Sequence, residues 1–498
     1  MKILINPSRK LFEYSNMIYG HFIEHFHRQI YGGVFDPENP LSDKDGFRMD
    51  VIEAMKAINV PILRWPGGCF VSSYHWKDGV GSDRKPFFDK AWRVEDPNSF
   101  GTDEYIKMCR KIGCEPYICT NAGTGTCEEM SDWVEYCNLE NEGQYAKMRI
   151  ANGNIEPHRV KYWSIGNENY GDWELGAKSA DEWGRLVTES AKLMLHVDPC
   201  IELSSAALTD IDWNINILKN AGNRLKWISL HKYWDALHSV DDHATYEQCM
   251  AYTKDIDEDI RKARGLLTAM GLEKDIKIAF DEWNLRSWHH PNSHTVYQGR
   301  TKDEYLTPRD KNDDNSKYTM ADSVFTACFL NTCIKNGDIV GMANYAPIVN
   351  TRGCIFTHEK GIVLRGTYYV FLMFTKYMGN TVIDSFGEQI EFFSPISKTG
   401  EKSNVEVIDT VATLRDDGAV SVSVINKHPH SSKKVSFKID NAFQYCIHTL
   451  NGESTESYND IDLQGIILKS SEMINCNDII DLEIEPHSVN IIEIFRKK

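Results

Sequence analysis

The stretch Tyr162-Trp163-Ser164-Ile165-Gly166-Asn167-Glu168-Asn169, followed by a helical pattern over Asp181–Leu195, decides the fold. Its first four residues form a short apolar run of the kind that a strand buried on both faces requires. The run breaks at Gly166 into polar residues. Downstream, Trp183, Leu186, Val187, Ser190, Ala191 and Met194 recur at helical spacing, and Asp198-Pro199 stops the helix. Strand, polar turn and amphipathic helix together make one β–α unit.

Working outward, the same texture recurs eight times. The runs are Ile18–Ile23, Ile62–Trp65, Pro116–Thr120, Tyr162–Ile165, Ile201–Ser205, Trp227–Leu230, Ile276–Phe280 and Ile339–Asn344. Helical segments lie between them; Met320–Ile334, for example, carries Ala321, Val324, Cys328 and Phe329 at core spacing. Eight alternations predict an α/β chain with a (β/α)8 barrel of the TIM type over residues 16–377. A doubly wound open sheet is the competing topology, but it would carry a Gly-rich phosphate turn after its first strand, and none is present.

From about Met378 the texture changes. Val420-Ser421-Val422-Ser423-Val424 alternates strictly, Val435–Ile439 repeats the pattern, and Val489–Phe495 adds a last strand. These predict a C-terminal antiparallel β-sandwich over residues 378–498. An N-terminal segment, residues 1–15, is expected to pair its strand Lys2–Ile5 into that sandwich. The polar stretch Ser287–Lys317, after the seventh run, is too long for a plain connector and is expected to act as a lid or subsite wall.

Net charge is −17, with 72 Asp and Glu. That balance lacks the basic footprint of a nucleic-acid binder or of a protein held to anionic lipid. No run reaches the length of a membrane span, and the N-terminal Met1–Pro7 has no signal-peptide core. The thirteen cysteines contain no C-x-x-C pair and read as reduced, buried thiols of a cytoplasmic protein.

In such a barrel the strand ends are where chemistry sits. The fourth ends in Asn167-Glu168 and the seventh in Asp281-Glu282. Two carboxylates facing each other across the mouth are what a retaining glycosidase needs, one to attack the anomeric carbon and one to protonate the departing oxygen. For Asn167 to reach the same substrate as its neighbour, the chain must already be turning after Gly166. The first strand ends His21-Phe22-Ile23-Glu24-His25-Phe26-His27, and an H-x-H pair there raises a metal-dependent hydrolase. The later strands do not supply the remaining ligands, so no metal or other cofactor is expected. Glu24, His25 and His231 read better as substrate hydrogen-bond partners or as structural polar groups. Tyr74, Trp76, Tyr233, Trp234, Trp283 and Trp288 are expected to offer aromatic walls to sugar rings.

The ordered set Gly20–His25, Arg64-Trp65-Pro66-Gly67-Gly68, Trp163–Asn169, Ser229–Tyr233 and Phe280–Asn284 resembles glycoside hydrolase family 51, the α-L-arabinofuranosidases. The resemblance covers most of the barrel and implies the same barrel-plus-sandwich layout. It implies Glu168 as general acid/base and Glu282 as nucleophile of a retaining, exo-acting enzyme on arabinofuranosyl-containing oligosaccharides. It also implies that Glu24, Asn167 and Tyr233 contact the sugar, with Trp288 as an aromatic wall and a homo-oligomer, often a hexamer, as the assembly. Two positions depart from the family. Cys69 stands where many members carry Asn, and Ala346-Pro347-Ile348-Val349-Asn350 stands where many carry Ala-Gln-x-Val-Asn. Cys69 and Asn350 are thus substrate-side positions where binding strength and selectivity are in question. The other readings are a different retaining glycosidase of the same clan (a β-xylosidase or an endo-glucanase) and a non-catalytic carbohydrate-binding protein.

Overall fold

The computed structural model describes residues 1–238, 243–286, 313–388, 391–396, 400 and 402–497. Eight strands, Gly20–Phe22, Ile62–Trp65, Glu115–Thr120, Tyr162–Ile165, Glu202–Ala207, Trp227–Trp234, Lys277–Arg286 and Val340–Tyr345, form a closed parallel barrel. Closure is made by the eighth strand on the first, with Asn344 opposite Gly20 and Tyr345 opposite His21. All eight apolar runs lie in or overlap these strands.

The first and seventh runs differ from their expected bounds for visible local reasons. Residues Asn16–Tyr19 form a 3-10 turn capped by the Ser15 hydroxyl, so the first strand starts only at Gly20. The seventh strand does not stop at Phe280 but continues to Arg286, because it stays paired with the sixth: Glu282 opposite His231, Trp283 opposite Lys232 and Asn284 opposite Tyr233. The pairing slips between Ala279 and Glu282. Such an irregularity re-aims side chains, and it lets the neighbours Asp281 and Glu282 both reach the groups at the barrel mouth.

Helices cover the barrel as the periodicity requires. Ala180–Val197 opens on a capping box in which Ser179 and Glu182 exchange hydrogen bonds, and it buries Trp183, Val187, Ala191 and Met194. Met320–Lys335 is buried nearly all round. One side meets the barrel, where Phe329 stacks on Trp283 at 3.5 Å. The other meets the second sheet, where Asn331 Nδ2 and Lys335 Nζ each donate to Asp409 Oδ1 at 2.9 Å.

The second sheet runs, in spatial order, Ile466–Ser470, Ala442–Gly452, Ser488–Arg496, Val420–Asn426, Ile408–Leu414, Thr381–Gly387, Lys2–Glu13, Lys433–Lys438 and Ile479–Ile484. Ile3, Val422, Val424, Phe437 and Ile492 share one core, so strands from the two ends of that order fold over one another as a sandwich. Strand Lys2–Glu13 pairs antiparallel with Thr381–Gly387 and parallel with Lys433–Lys438. The alternation in Val420–Val424 suggested one wet face, yet Ser421 and Ser423 are buried. That face lies against the barrel, and Ser421 Oγ donates to the Tyr377 carbonyl at 2.5 Å. Among the described residues no helix is long and apolar enough to cross a membrane.

Candidate active site

The site is built where strand four stops. After Ile165 the chain turns through Gly166 at φ +70°, where a Cβ would lie 2.3 Å from Asn169 Oδ1 and 2.4 Å from the Trp183 ring. Only glycine passes there. Glu168 itself sits at φ +45°, a left-handed conformation that costs a side-chain-bearing residue energy and is common where function fixes geometry. The turn lets both Asn167 and Glu168 face the barrel centre, as their adjacency required.

Opposite them stands Glu282. One carboxylate oxygen of Glu168, one of Glu282 and a ring nitrogen of His231 all lie within 4.8 Å of one another. Glu282 Oε1 accepts from Arg64 Nη1 at 2.6 Å, and Oε2 accepts from Tyr233 Oη at 2.7 Å. Glu168 Oε1 lies 2.9 Å from His231 Nδ1 and accepts from Tyr170 Oη at 3.3 Å, while Oε2 accepts from Trp173 Nε1 at 3.1 Å. Asn167 Oδ1 accepts from Arg64 Nη2 at 3.0 Å and from the Gly68 backbone at 3.3 Å. Glu168 is the more open carboxylate, its side chain 14% exposed against 6% for Glu282.

Beneath this layer lies Asp281. It accepts from Ser229 Oγ at 2.5 Å and Tyr117 Oη at 2.7 Å, with Arg64 Nε at 3.6 Å and His231 Nε2 at 3.1 Å. Burial pushes its carboxyl up, but Arg64 and His231 outweigh burial and hold it down at about 2. Burial alone would lower His231; the surrounding Glu282, Asp281 and Glu168 instead raise it to about 10. The imidazole is therefore a cation at neutral pH. A general acid must carry a proton, and a negative neighbour with partial burial would favour one on Glu168. Burial does push it up, but the hydrogen bond and charge of His231 bring it below the usual carboxylate range, so in the free site the proton is on His231.

Glu24 is buried and accepts from the Phe70 backbone at 3.0 Å and from Trp92 Nε1 at 2.9 Å through one oxygen. Burial and the charge of Glu282 push its carboxyl well above the usual carboxylate range. Gly68, at φ +84°, packs onto it so closely that a Cβ would lie 2.2 Å from Glu24 Oε2. Cys69 follows, its sulfur grouped with oxygens of Glu168 and Glu174 within 4.8 Å. Asn350 does not join the cluster: its amide donates to the Arg28 carbonyl at 2.7 Å and to Thr357 Oγ1 at 2.8 Å, and accepts from the Thr357 backbone at 2.8 Å. Those bonds fix a loop and engage both ends of the amide.

Of the expected aromatic walls that lie among the described residues, only Tyr233 faces the carboxylates. Tyr74, Trp76, Trp234 and Trp283 are core residues. Trp283 stacks on Phe329 because the outward side of a barrel strand meets helices rather than solvent, and Trp76, in the 3-10 turn Trp76–Gly79 after the second strand, stacks on Trp133 at 5.9 Å. Trp288 and residues 287–312 lie outside the described residues. His25 is structural: its Nδ1 lies 2.8 Å from Asp96 Oδ2 and its ring stacks on Phe70 at 4.2 Å.

Sequence reasoning passed over five residues of the site. Arg64 and Asp281 stand inside the quoted motifs. Tyr170, Trp173 and Glu174 follow Glu168 directly. Trp173 is 53% exposed, an aromatic face at the rim of the acid. Glu174 accepts weakly from Asn167 Nδ2 at 3.4 Å, and burial pushes its carboxyl up to about 8.

Glu168, His231 and Glu282 together have the donor types of a metal site. His231 does not fit the role, since a protonated imidazole has no lone pair to give and its nitrogens face Glu168 and Asp281. Neither His25 nor His27 belongs to any group of three potential ligands among the described residues.

The comparisons with known proteins agree with this geometry. The α-L-arabinofuranosidase 1 domain matches residues 54–253, and the α-L-arabinofuranosidase C-terminal domain matches residues 281–488. An intracellular exo-α-(1→5)-L-arabinofuranosidase of Acetivibrio thermocellus is 34% identical over 86% of this chain and 85% of its own length. One of the same name from Halalkalibacterium halodurans is 33% identical over 86% and 85%. The α-L-arabinofuranosidase of Thermotoga maritima, solved as an arabinose complex, superposes with a TM-score of 0.87 at 33% identity, covering 99% of this chain and 100% of that one. A likeness at 12% identity to a bifunctional glucanase-xylanase, TM-score 0.63, shows the fold alone. The chain belongs to glycoside hydrolase family 51, the α-L-arabinofuranosidases.

Proposed function

We propose that the protein is a retaining, exo-acting α-L-arabinofuranosidase that removes terminal non-reducing α-L-arabinofuranosyl residues from arabinose-containing oligosaccharides. The observation that carries the mechanism is the closeness of Glu168 and Glu282, with oxygens within 4.8 Å. Retaining enzymes hold their carboxyl groups about 5–5.5 Å apart, whereas inverting ones leave about 6.5–9.5 Å for a water. Glu282, oriented by Arg64 and Tyr233, attacks the anomeric carbon as the bond to the leaving oxygen breaks. Glu168 gives that oxygen its proton. In the second step Glu168 takes a proton from water, which attacks the anomeric carbon and releases Glu282.

The proton for the first step is drawn from His231. Substrate that removes water from Glu168 raises its affinity for a proton, and the 2.9 Å contact from His231 Nδ1 delivers one. Asn167, Tyr233 and Glu24 are the sugar-side hydrogen-bond partners in this reading, with Cys69 beside them. A panel of aryl glycosides tests it. The α-L-arabinofuranoside should be turned over with retention, and Glu282→Ala should abolish that turnover. Near-native rates in Glu282→Ala would sink the assignment, and preference for a β-xyloside or β-glucoside would move it to another glycosidase of the clan.

The cellular reading is a cytoplasmic enzyme working on short oligosaccharides, supported by thirteen cysteines that form no disulfide and by the two bacterial relatives named intracellular. A homo-oligomer, with the hexamer as its first candidate, follows from the family resemblance; light scattering of the purified protein checks it.

A further inference from the structure

A second cluster of donor groups lies in the sandwich. Cys446 and His448 are two residues apart on strand Ala442–Gly452 and therefore share a face. Glu493, on the neighbouring strand Ser488–Arg496, is the direct cross-strand partner of Cys446. All three side chains are buried. Their donor atoms converge: Cys446 Sγ is 3.6 Å from His448 Nε2 and 3.4 Å from Glu493 Oε2, and those two are 2.9 Å apart. A tetrahedral metal bound at about 2.3 Å by sulfur and about 2.0–2.1 Å by nitrogen and oxygen would need donor separations of about 3.3–3.5 Å. Two of the separations already match, and the third opens to the required value with a shift of a few tenths of an ångström.

The groups behind the donors are arranged as a metal site demands. His448 Nδ1 lies 2.7 Å from Ser470 Oγ, a partner that fixes the ring and leaves Nε2 as the inward-facing atom. The Tyr377 ring stacks on the imidazole at 3.6 Å with the planes 5° apart. The other oxygen of Glu493 is held by Arg415 Nη1. Lys376 and Arg415 are the two cations that act on the imidazole. The same two cations oppose a metal ion, but a thiolate and a carboxylate supply two negative charges against it.

We propose that Cys446, His448 and Glu493 bind a divalent transition metal of the zinc class, which ties the two strands together beneath the end of helix Gly366–Tyr377. A thiolate with an imidazole selects zinc-like ions over magnesium or calcium. Binding replaces the Cys446 S–H bond with a sulfur–metal bond and releases that proton to solvent. His448 binds through Nε2 and keeps its proton on Nδ1, donating to Ser470.

Cobalt(II) is the probe. Full-length protein is freed of metal with a chelator, dialysed and titrated with cobalt. One equivalent should produce a thiolate-to-cobalt charge-transfer band in the near ultraviolet and intense four-coordinate bands in the visible, and zinc should displace both. Cys446→Ser should lose the charge-transfer band and bind zinc about 100-fold or more weakly, since even outer-shell changes cost 10–100-fold. Cys69→Ser should keep the band, which separates this cluster from the thiol near Glu168. If Cys446→Ser does not fold, His448→Gln must lose the intense visible bands and weaken zinc to the same degree. No charge-transfer band in the folded wild type, a charge-transfer band that survives Cys446→Ser, or intense visible bands that survive His448→Gln would each overturn the proposal.

Discussion

Arg64 Nη1 donates to Glu282 Oε1 at 2.6 Å, and the two side chains are 0% and 6% exposed. The same guanidinium reaches Asn167 Oδ1 and comes within 3.6 Å of Asp281, so one buried cation ties strand two to strands four and seven. It is fully buried, and Cys119 Sγ, 3.4 Å from Nη2, accepts a further hydrogen bond. The orientation of Glu282, the proposed nucleophile, thus depends on Arg64.

That arrangement makes Arg64→Lys and Arg64→Met different experiments. A lysine keeps the charge but not the planar fork that serves Glu282 and Asn167 together. Misplacing a reacting group by about 1 Å costs about 100-fold in rate, and kcat of Arg64→Lys on an aryl arabinofuranoside should fall by about that much with the fold intact. Arg64→Met strands two carboxylates in the barrel, and breaking a buried pair from one side costs about 3–5 kcal/mol. Urea denaturation should show that loss for methionine and a smaller one for lysine. A methionine variant as stable as wild type would show that Arg64 does not compensate Asp281 and Glu282.

Glu168→Ala should separate the two steps. Loss of a general acid–base costs about 10²–10⁴-fold. The loss should be large for a substrate whose departing oxygen needs a proton and small for one with an activated nitrophenyl group, where breakdown of the arabinosyl-enzyme becomes limiting. Azide, which needs no general base, should then accelerate turnover and give an arabinosyl azide of retained configuration. An inverted azide, or no rescue with an activated substrate, would reassign Glu168.

The pair was legible in the sequence because the barrel period is regular: eight apolar runs locate eight strand ends, and the carboxylates stand out there. Arg64 was not chosen, although it stands in a quoted motif, because its reach across the barrel is a tertiary fact. The aromatic walls failed for a reason the pleat does contain. Glu282 faces in, so its neighbour Trp283 must face the helices, and it does so against Phe329. What alternation could not give is Asp281, which faces the centre only through the slip in pairing between Ala279 and Glu282.

His231 gives the stability a pH dependence of known sign. Its ordinary value is 6.5 and its folded value is about 10, set against burial by Glu282, Asp281 and Glu168. A raised histidine contributes stability that is complete below 6.5 and is lost as pH rises toward 10. Wild type should therefore lose thermal stability across that window more steeply than His231→Gln. Glu168→Gln, which removes one of the three carboxylates, should shift the loss to lower pH. Parallel curves for wild type and His231→Gln would mean that the imidazole is neutral in the folded protein.

Glu174 predicts the opposite behaviour for a carboxyl. Burial raises it from 4.5 to about 8, so the folded state holds a proton that the unfolded chain has already released. Below 4.5 both states are protonated and there is no effect; from 4.5 to 8 the group increasingly opposes folding, and above 8 the penalty is constant. Glu174→Gln keeps the shape and an acceptor for Asn167 Nδ2 but has no proton to hold. It should raise the melting temperature at pH 7, by an amount that grows from pH 4.5 to 8 and vanishes near pH 4. The same change should leave KM for an aryl arabinofuranoside steady as the pH passes 8, where wild type acquires a negative charge beside Glu168 and Cys69. If Glu174→Gln melts at or below the wild-type temperature across that range, the carboxyl is ionised in the folded protein and its place beside Cys69 is that of an anion.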